Sequence, residues 1–138
     1  MLPRDAGDVL ETIAACRRHH APIVSRGGGT SLAGQCCNVA VVMDMSKYMH
    51  RILELNPEKQ FARVQPGLIL DHLKQAAEKH HLTFAPDPST HDHCTLGGMI
   101  GNNSCGVHSV MGGKTVDNVI SLDLGLYDGT RMTVGPTG

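Results

Sequence analysis

Ser25-Arg26-Gly27-Gly28-Gly29-Thr30-Ser31-Leu32-Ala33-Gly34-Gln35 follows directly on a short apolar run, Pro22-Ile23-Val24. This reads as a strand opening into a loop with its backbone exposed. Glycine lets successive amides turn inward at positive φ without a Cβ clash, so such a loop can present N–H groups as a concave anion site. A phosphate or pyrophosphate suits that nest. A tight turn whose glycines only pack closely is the competing explanation.

Two familiar phosphate motifs fail here. A P-loop requires Lys and then Ser or Thr after its last glycine, whereas Gly34 is followed by Gln35 and Cys36. The dinucleotide fingerprint begun at Gly27 has Leu32 where its third glycine belongs, and no helical pattern follows to supply a dipole. The loop must therefore act through its own amides, with Arg26, Thr30 and Ser31 as side-chain donors.

Size and charge narrow the field. The 138 residues make one domain's worth of chain, 41% hydrophobic, with 12 Lys+Arg set against 13 Asp+Glu. That balance, with only 3% aromatics and no Trp, gives neither the basic patch nor the stacking platform of a nucleic-acid binder. No apolar run approaches the roughly 20 residues of a membrane span and no signal-peptide core is evident, so a cytoplasmic domain is expected, with any membrane association routed through an electron acceptor. The five cysteines (Cys16, Cys36, Cys37, Cys94, Cys105) are odd in number and show no C-x-x-C, as expected of reduced thiols.

Taken in order, apolar residues at 9, 10, 13, 14 and 16 predict a helix that Asp5 or Asp8 caps and His19 and His20 close. Val39 to Met45 reads as a strand covered on both faces. Arg51–Leu55 and Phe61–Gln65 alternate as a hairpin that Pro66-Gly67 ends. Leu68 to Leu82 predicts a second amphipathic helix, with His80 half-buried on its apolar side and Lys74 towards solvent. Residues 118 to 134 predict a further hairpin turning at Asp128-Gly129. The expected class is α+β, a small parallel or mixed sheet with helices plus a second antiparallel sheet. A first subdomain is expected over about residues 1–65, with a second begun over about 66–138.

Between the second helix and that last hairpin, Pro86-Asp87-Pro88-Ser89-Thr90 forbids helix. Thr95-Leu96-Gly97-Gly98-Met99-Ile100-Gly101-Asn102-Asn103-Ser104-Cys105-Gly106 then reads as a second loop dense in glycine and small polar residues. Two such loops in one domain are hard to explain as turns alone. His91-x-His93 could turn both rings to one side of an extended segment, yet no third ligand follows at suitable spacing, and no metal site is assigned.

With both loops in hand, the chain resembles the flavin-binding (PCMH-type) domain of the vanillyl-alcohol oxidase/p-cresol methylhydroxylase superfamily. Within it the nearest likeness is to FAD-linked D-2-hydroxyacid dehydrogenases of the glycolate oxidase and D-lactate dehydrogenase type. The residues that carry it are 26–34, Pro66-Gly67, Pro86-Asp87-Pro88-Ser89, 95–103 and Thr115-Val116-Asp117-Asn118-Val119, which run through nearly the whole chain in the family's order.

That resemblance implies a truncated PCMH-type FAD-binding fold lacking its cap domain. It implies that Arg26, Gly27, Gly28, Gly29, Thr30, Ser31, Gly34 and Gln35 wrap the FAD pyrophosphate. Pro66 and Gly67, Pro86, Asp87, Pro88 and Ser89, and Thr95, Gly97, Gly98, Ile100, Gly101, Asn102, Asn103 and Gly106 would complete the cofactor site beside the isoalloxazine and ribityl chain. Thr30 stands where some relatives carry a residue that tethers flavin, so noncovalent FAD is implied. The implied reaction is hydride transfer from C2 of a D-2-hydroxy acid of the D-lactate, glycolate or 2-hydroxyglutarate class to flavin N5. Its base and carboxylate clamps would come mainly from the missing cap, so no catalytic residue is assigned. Another branch of the fold, such as a sugar or alditol oxidase or a cell-wall precursor reductase, and a non-catalytic nucleotide-binding module remain as alternatives.

Overall fold

A computed structural model describes residues 1–136. Asp5 opens helix α1 (Ala6–Arg18), its side chain accepting from the Asp8 amide at 3.0 Å, and His19 closes it with its own amide bonded back to Ala15. Acid in the first turn and Arg17 and Arg18 in the last suit the helix dipole. The chain then forms β1 (Ile23–Arg26) and β2 (Val41–Asp44), paired in parallel with Ile23 opposite Val41 and Arg26 opposite Asp44. Only Met43 of β2 is buried, while Val41 and Val42 are half-buried and Val39 is exposed outside the strand. The run is thus covered less fully than its apolar sequence predicts, because a two-stranded sheet leaves part of each face open.

The antiparallel hairpin β3 (Ile52–Asn56) and β4 (Phe61–Val64) carries a bulge near Leu53 and turns through Gln60 at φ 54°. Helix α2 (Leu70–Glu78) is shorter than its periodicity suggests. His81, at φ 58°, turns the chain away, so His80 lies past the helix and is exposed rather than half-buried, while Lys74 is half-buried. The hydrophobic core forms where α2 meets this hairpin: Leu68, Leu70, Leu73, Cys94, Leu96 and Met99 pack together, with Ile52, Ala62, Val64 and Phe84 against them. Burying a side chain such as Leu70, which is fully inaccessible, contributes about 1.5–3 kcal/mol.

The glycine-rich segment after Thr95 is a short helix, α3 (Leu96–Asn102), and this corrects the loop expected there. Glycine weakens a helix by roughly 1 kcal/mol per residue relative to alanine, yet three local features hold this one. Thr95 caps it by accepting from the Gly98 amide at 3.3 Å, Leu96 and Met99 anchor its inner side in the core, and Asn103 ends it in the left-handed conformation at φ 50°. A single helical turn α4 (Ser109–Gly112) follows. A 3-10 turn over Val116–Asn118 occupies the start of the expected last hairpin, whose strands are β5 (Leu122–Gly125) and β6 (Arg131–Val134). This hairpin returns to α1: a Cβ on Gly125 would stand 3.2 Å from Leu10, and the Tyr127 hydroxyl donates to the Ala21 carbonyl at 3.0 Å. No helix among the described residues is long and apolar enough to cross a membrane.

Candidate functional site

The two glycine-rich segments meet. Gly27 lies so close to Thr95 that a Cβ there would collide with the Thr95 hydroxyl, and a Cβ on Gly28 would collide with the His93 carbonyl. These two glycines are needed for close approach, and their φ angles are not positive; the left-handed positions in the first loop are Gly29 at φ 68° and Gly34 at φ 73°. Around the junction, the Leu70 amide donates to the Cys94 carbonyl at 3.1 Å and the Leu96 amide to the Leu68 carbonyl at 2.9 Å. The starts of α2 and α3 are thereby clamped side by side, and the Gly97 amide reaches the Pro66 carbonyl at 2.8 Å.

Between Gly27 and Cys36 no amide donates to an acceptor among the described residues; the first such bond is from Cys37 to the Gly34 carbonyl at 2.9 Å. Most of this run is exposed. Backbone N–H groups need partners, so the loop offers a row of uncommitted donors beside α3. Arg26 adds positive charge: its guanidinium folds beneath Gly29, where an added Cβ would come to 2.8 Å from Nη2, and its Nε stands 4.0 Å from the Asp44 carboxylate. That pair is part-exposed, so Asp44 orients the guanidinium more than it neutralises it. On α3 the outward side carries Gly98, Gly101, Ile100 and Asn102, all exposed, and a Cβ on Gly101 would meet nothing within 4 Å. A flat ligand can approach that bare side closely.

The chain matches the family described as FAD binding domain over residues 1–135. It belongs to the FAD-binding domain family. Escherichia coli (strain K12) D-2-hydroxyglutarate dehydrogenase is 39% identical over 139 residues, covering 99% of this chain but 14% of that protein. Glycolate oxidase subunit GlcD of the same strain is 36% identical over 137 residues, covering 98% of this chain and 27% of the relative. In fold, the domain is similar to a solved alkyldihydroxyacetonephosphate synthase, with a TM-score of 0.84 at 23% identity, covering 99% of this chain and 25% of that one. This FAD-binding domain thus spans between about a seventh and about a quarter of the length of these relatives.

Several candidate glycines of the domain serve its own packing. Gly67 is pressed between Met45 and Met49, where a Cβ would sit 2.7 Å from the Met49 carbonyl; Gly97 abuts Pro66; and Gly106 is pressed on Asp87. Pro86 is fully buried, and Thr95 is 2% exposed. These residues are taken up by packing, whereas Gly28, Gly29, Ser31, Gly34, Gln35, Gly98, Ile100, Gly101, Asn102 and Asn103 are exposed, with Thr30 half-buried among them. Pro88 is half-buried and Ser89 exposed on the segment that leads towards His93.

That segment is a turn rather than an extended stretch, and each histidine is engaged with a carboxylate. His91 Nδ1 bonds both Asp71 oxygens at 2.9 Å, and His93 pairs with Asp92 at 2.7 Å. The Asp92 carboxylate raises the His93 pKa above its usual 6.5. No group of three His, Cys, Asp or Glu is placed to hold a metal among the described residues.

Three partners were not legible in the sequence. His108 clasps Asp87 twice, by its amide to Oδ1 at 3.1 Å and by its ring to Oδ2, and the hydrogen bonds from His108 hold the Asp87 carboxyl below its usual range. Thr115, fully buried, donates its hydroxyl to the Ser104 carbonyl at 2.7 Å, and Asn118 donates to the Gly112 and Lys114 carbonyls. Together they staple the 104–118 excursion. None has a periodic signal: the His108–Asp87 and Thr115–Ser104 bonds join segments brought together by folding, and those of Asn118 close an irregular turn.

Proposed function

We propose that this domain holds FAD noncovalently and forms part of a flavin-dependent oxidoreductase that oxidises a small D-2-hydroxy acid. The row of uncommitted amides over Gly27–Cys36, fixed against Thr95 and joined by the Arg26 guanidinium, carries the reading. A pyrophosphate is a ligand such a row fits: its oxygens accept from several N–H groups at once, and charge-assisted bonds of this type are about twice as strong as neutral ones. Arg26, Gly27, Gly28, Gly29, Thr30, Ser31, Gly34 and Gln35 would hold that part of the cofactor. Gly98, Ile100, Gly101, Asn102 and Asn103 would flank its ring and ribityl chain from the bare side of α3. Pro66, Gly67, Pro86, Asp87, Pro88, Ser89, Thr95, Gly97 and Gly106 would complete the cofactor site, with Thr95 setting how near the first loop stands to α3.

When bound, the flavin supplies a hydride acceptor for the C2 hydrogen of the hydroxy acid. The chain's own contribution is to bind and orient: the amide row fixes the anionic centre of the cofactor, Arg26 offsets its charge, and the Thr95 junction keeps α3 at a set distance from the loop. The hydroxyacid class is supported by the names of the relatives, D-2-hydroxyglutarate dehydrogenase and glycolate oxidase subunit, and by a 31% identical yeast relative named D-lactate dehydrogenase.

A visible absorption spectrum of the purified chain, recorded after FAD addition and desalting, tests the first part. A perturbed flavin band that survives desalting and is released by acid or heat into the soluble fraction is expected of noncovalent FAD. A chain that keeps no flavin, repeated on a longer span of the protein with the same result, would overturn the assignment. Turnover of a panel of D-2-hydroxy acids by that longer span tests the substrate class.

A further inference from the structure

Two cysteines adjacent in sequence, Cys36 and Cys37, stand at the end of the amide row. Cys36 is half-buried and Cys37 exposed, in a turn closed by the Cys37 amide donating to the Gly34 carbonyl at 2.9 Å. Gly34 occupies φ 73° with open space around it, and Leu32 is fully exposed, so no packed side chain braces the turn. The remaining cysteines differ from this pair. Cys16 and Cys94 are buried, and Cys105 is exposed but single. Burial also pushes the Cys94 thiol pKa upward.

We propose that Cys36 and Cys37 form a vicinal dithiol that captures soft, thiophilic electrophiles of the trivalent arsenical class, and that capture blocks the neighbouring amide row. Thiolate sulfur is a soft ligand that selects soft acceptors over the hard ions preferred by oxygen. Two sulfurs on adjacent residues can close a ring on one acceptor atom through the peptide link between them, so the second bond forms within the chain at high effective concentration. The step balances without an oxidant: an organoarsenic(III) oxide condenses with both thiols, two As–S bonds form, the As–O bond breaks, and the two thiol hydrogens leave with that oxygen as water. Arsenic stays trivalent and both sulfurs stay reduced. Because Cys36 is the last residue of the row, a ring closed at Cys36 and Cys37 fixes the turn and places an aryl group beside Gly34. This consequence for FAD rests on the function proposed above; the capture itself does not.

The probe is phenylarsine oxide added to the full chain, followed by intact mass measurement after a wash with excess 2-mercaptoethanol and again after dimercaptopropanol. One adduct that survives the monothiol and is removed by the dithiol is expected for the native chain and for Cys105→Ser. Its loss in both Cys36→Ser and Cys37→Ser would place it on the pair, while persistence in either would overturn that placement. An adduct stripped by the monothiol from the native chain would overturn bidentate capture altogether. FAD uptake is then compared between capped and uncapped chain. A loss confined to chains carrying both cysteines is expected, and undiminished uptake by the capped chain would overturn the blocking step. Absence of flavin uptake before capping would instead count against the cofactor assignment and leave the capture result standing.

Discussion

The Thr95 hydroxyl occupies the space a side chain on Gly27 would need, and the same oxygen accepts from the Gly98 amide at 3.3 Å. One atom therefore caps α3 and sets how near the first glycine loop can come. Thr95→Val keeps the bulk and removes the acceptor, and a lost cap costs about 1 kcal/mol. Thr95→Ser retains the oxygen. Urea titrations followed by far-UV circular dichroism should show the valine variant destabilised by about that amount and the serine variant nearer to the native chain. A larger loss in the serine variant would make the methyl, not the hydroxyl, the important group.

Gly27→Ala should be worse than its size suggests. The added methyl cannot be accommodated without moving Thr95, whose burial leaves it little freedom, and overpacking of this kind costs typically 1–3 kcal/mol. Denaturation midpoints read the stability loss, and flavin retention should fall in step if the function is as proposed.

Gly28 and Gly34 separate two reasons for glycine. Gly28→Val should abolish FAD uptake by forcing the loop away from the His93 carbonyl, although its φ is not positive. Gly34→Ala meets open space and is penalised only by its left-handed conformation, roughly 1–2 kcal/mol. Desalting assays with added FAD should find Gly34→Ala the milder of the two. The reverse order would detach the 27–93 contact from the site.

Leu70→Ala should cost about 2–5 kcal/mol, since the side chain is fully buried where α2, the first hairpin and α3 converge. Met99→Ala, at 1% exposure in the same cluster, should behave alike. A native-like midpoint for either would contradict that core.

The Asp87 carboxyl, held below its usual value of 3.8 by its hydrogen bonds from His108, makes a contribution that depends on acid. A depressed folded pKa gives stability that is fully present above the unfolded value and is lost as pH falls through the folded one. The 104–113 excursion should thus loosen only below about pH 4, and His108→Ala should remove that acid sensitivity. Amide exchange of Gly106 and His108 across the acid range reads it directly. The buried Cys94 thiol, its pKa raised by burial, should be alkylated after Cys37 and Cys105 at neutral pH, as peptide mapping would show.

Local rules made much of the chain legible. Asp5 at the head of α1, the parallel pairing that brings the first loop to the sheet edge, and the Pro66-Gly67 stop after the first hairpin all follow from side-chain chemistry over a few residues. So does the amide-rich character of residues 27–35. The glycines of 97–101 misled for the same reason: propensity argues against helix there, and what overrides it is a cap and two core anchors. Leu96 and Met99 stabilise that turn only because α2 and the hairpin supply the other wall of the core.

The sequence by itself determined helices α1 and α2, the strand pairs and the presence of two glycine-rich segments, because each depends on periodicity, capping or φ freedom within a short span. Tertiary structure alone decided that Gly27 meets Thr95, that His108 holds Asp87 and that Gly67, Gly97 and Gly106 are packing positions rather than open ones. Those contacts join residues from 18 to 68 positions apart in the numbering, closest for Gly67 and Met49 and widest for Gly27 and Thr95. Only the collapse of the core around Leu70 brings such distant backbone segments within touching distance, and no local pattern records it.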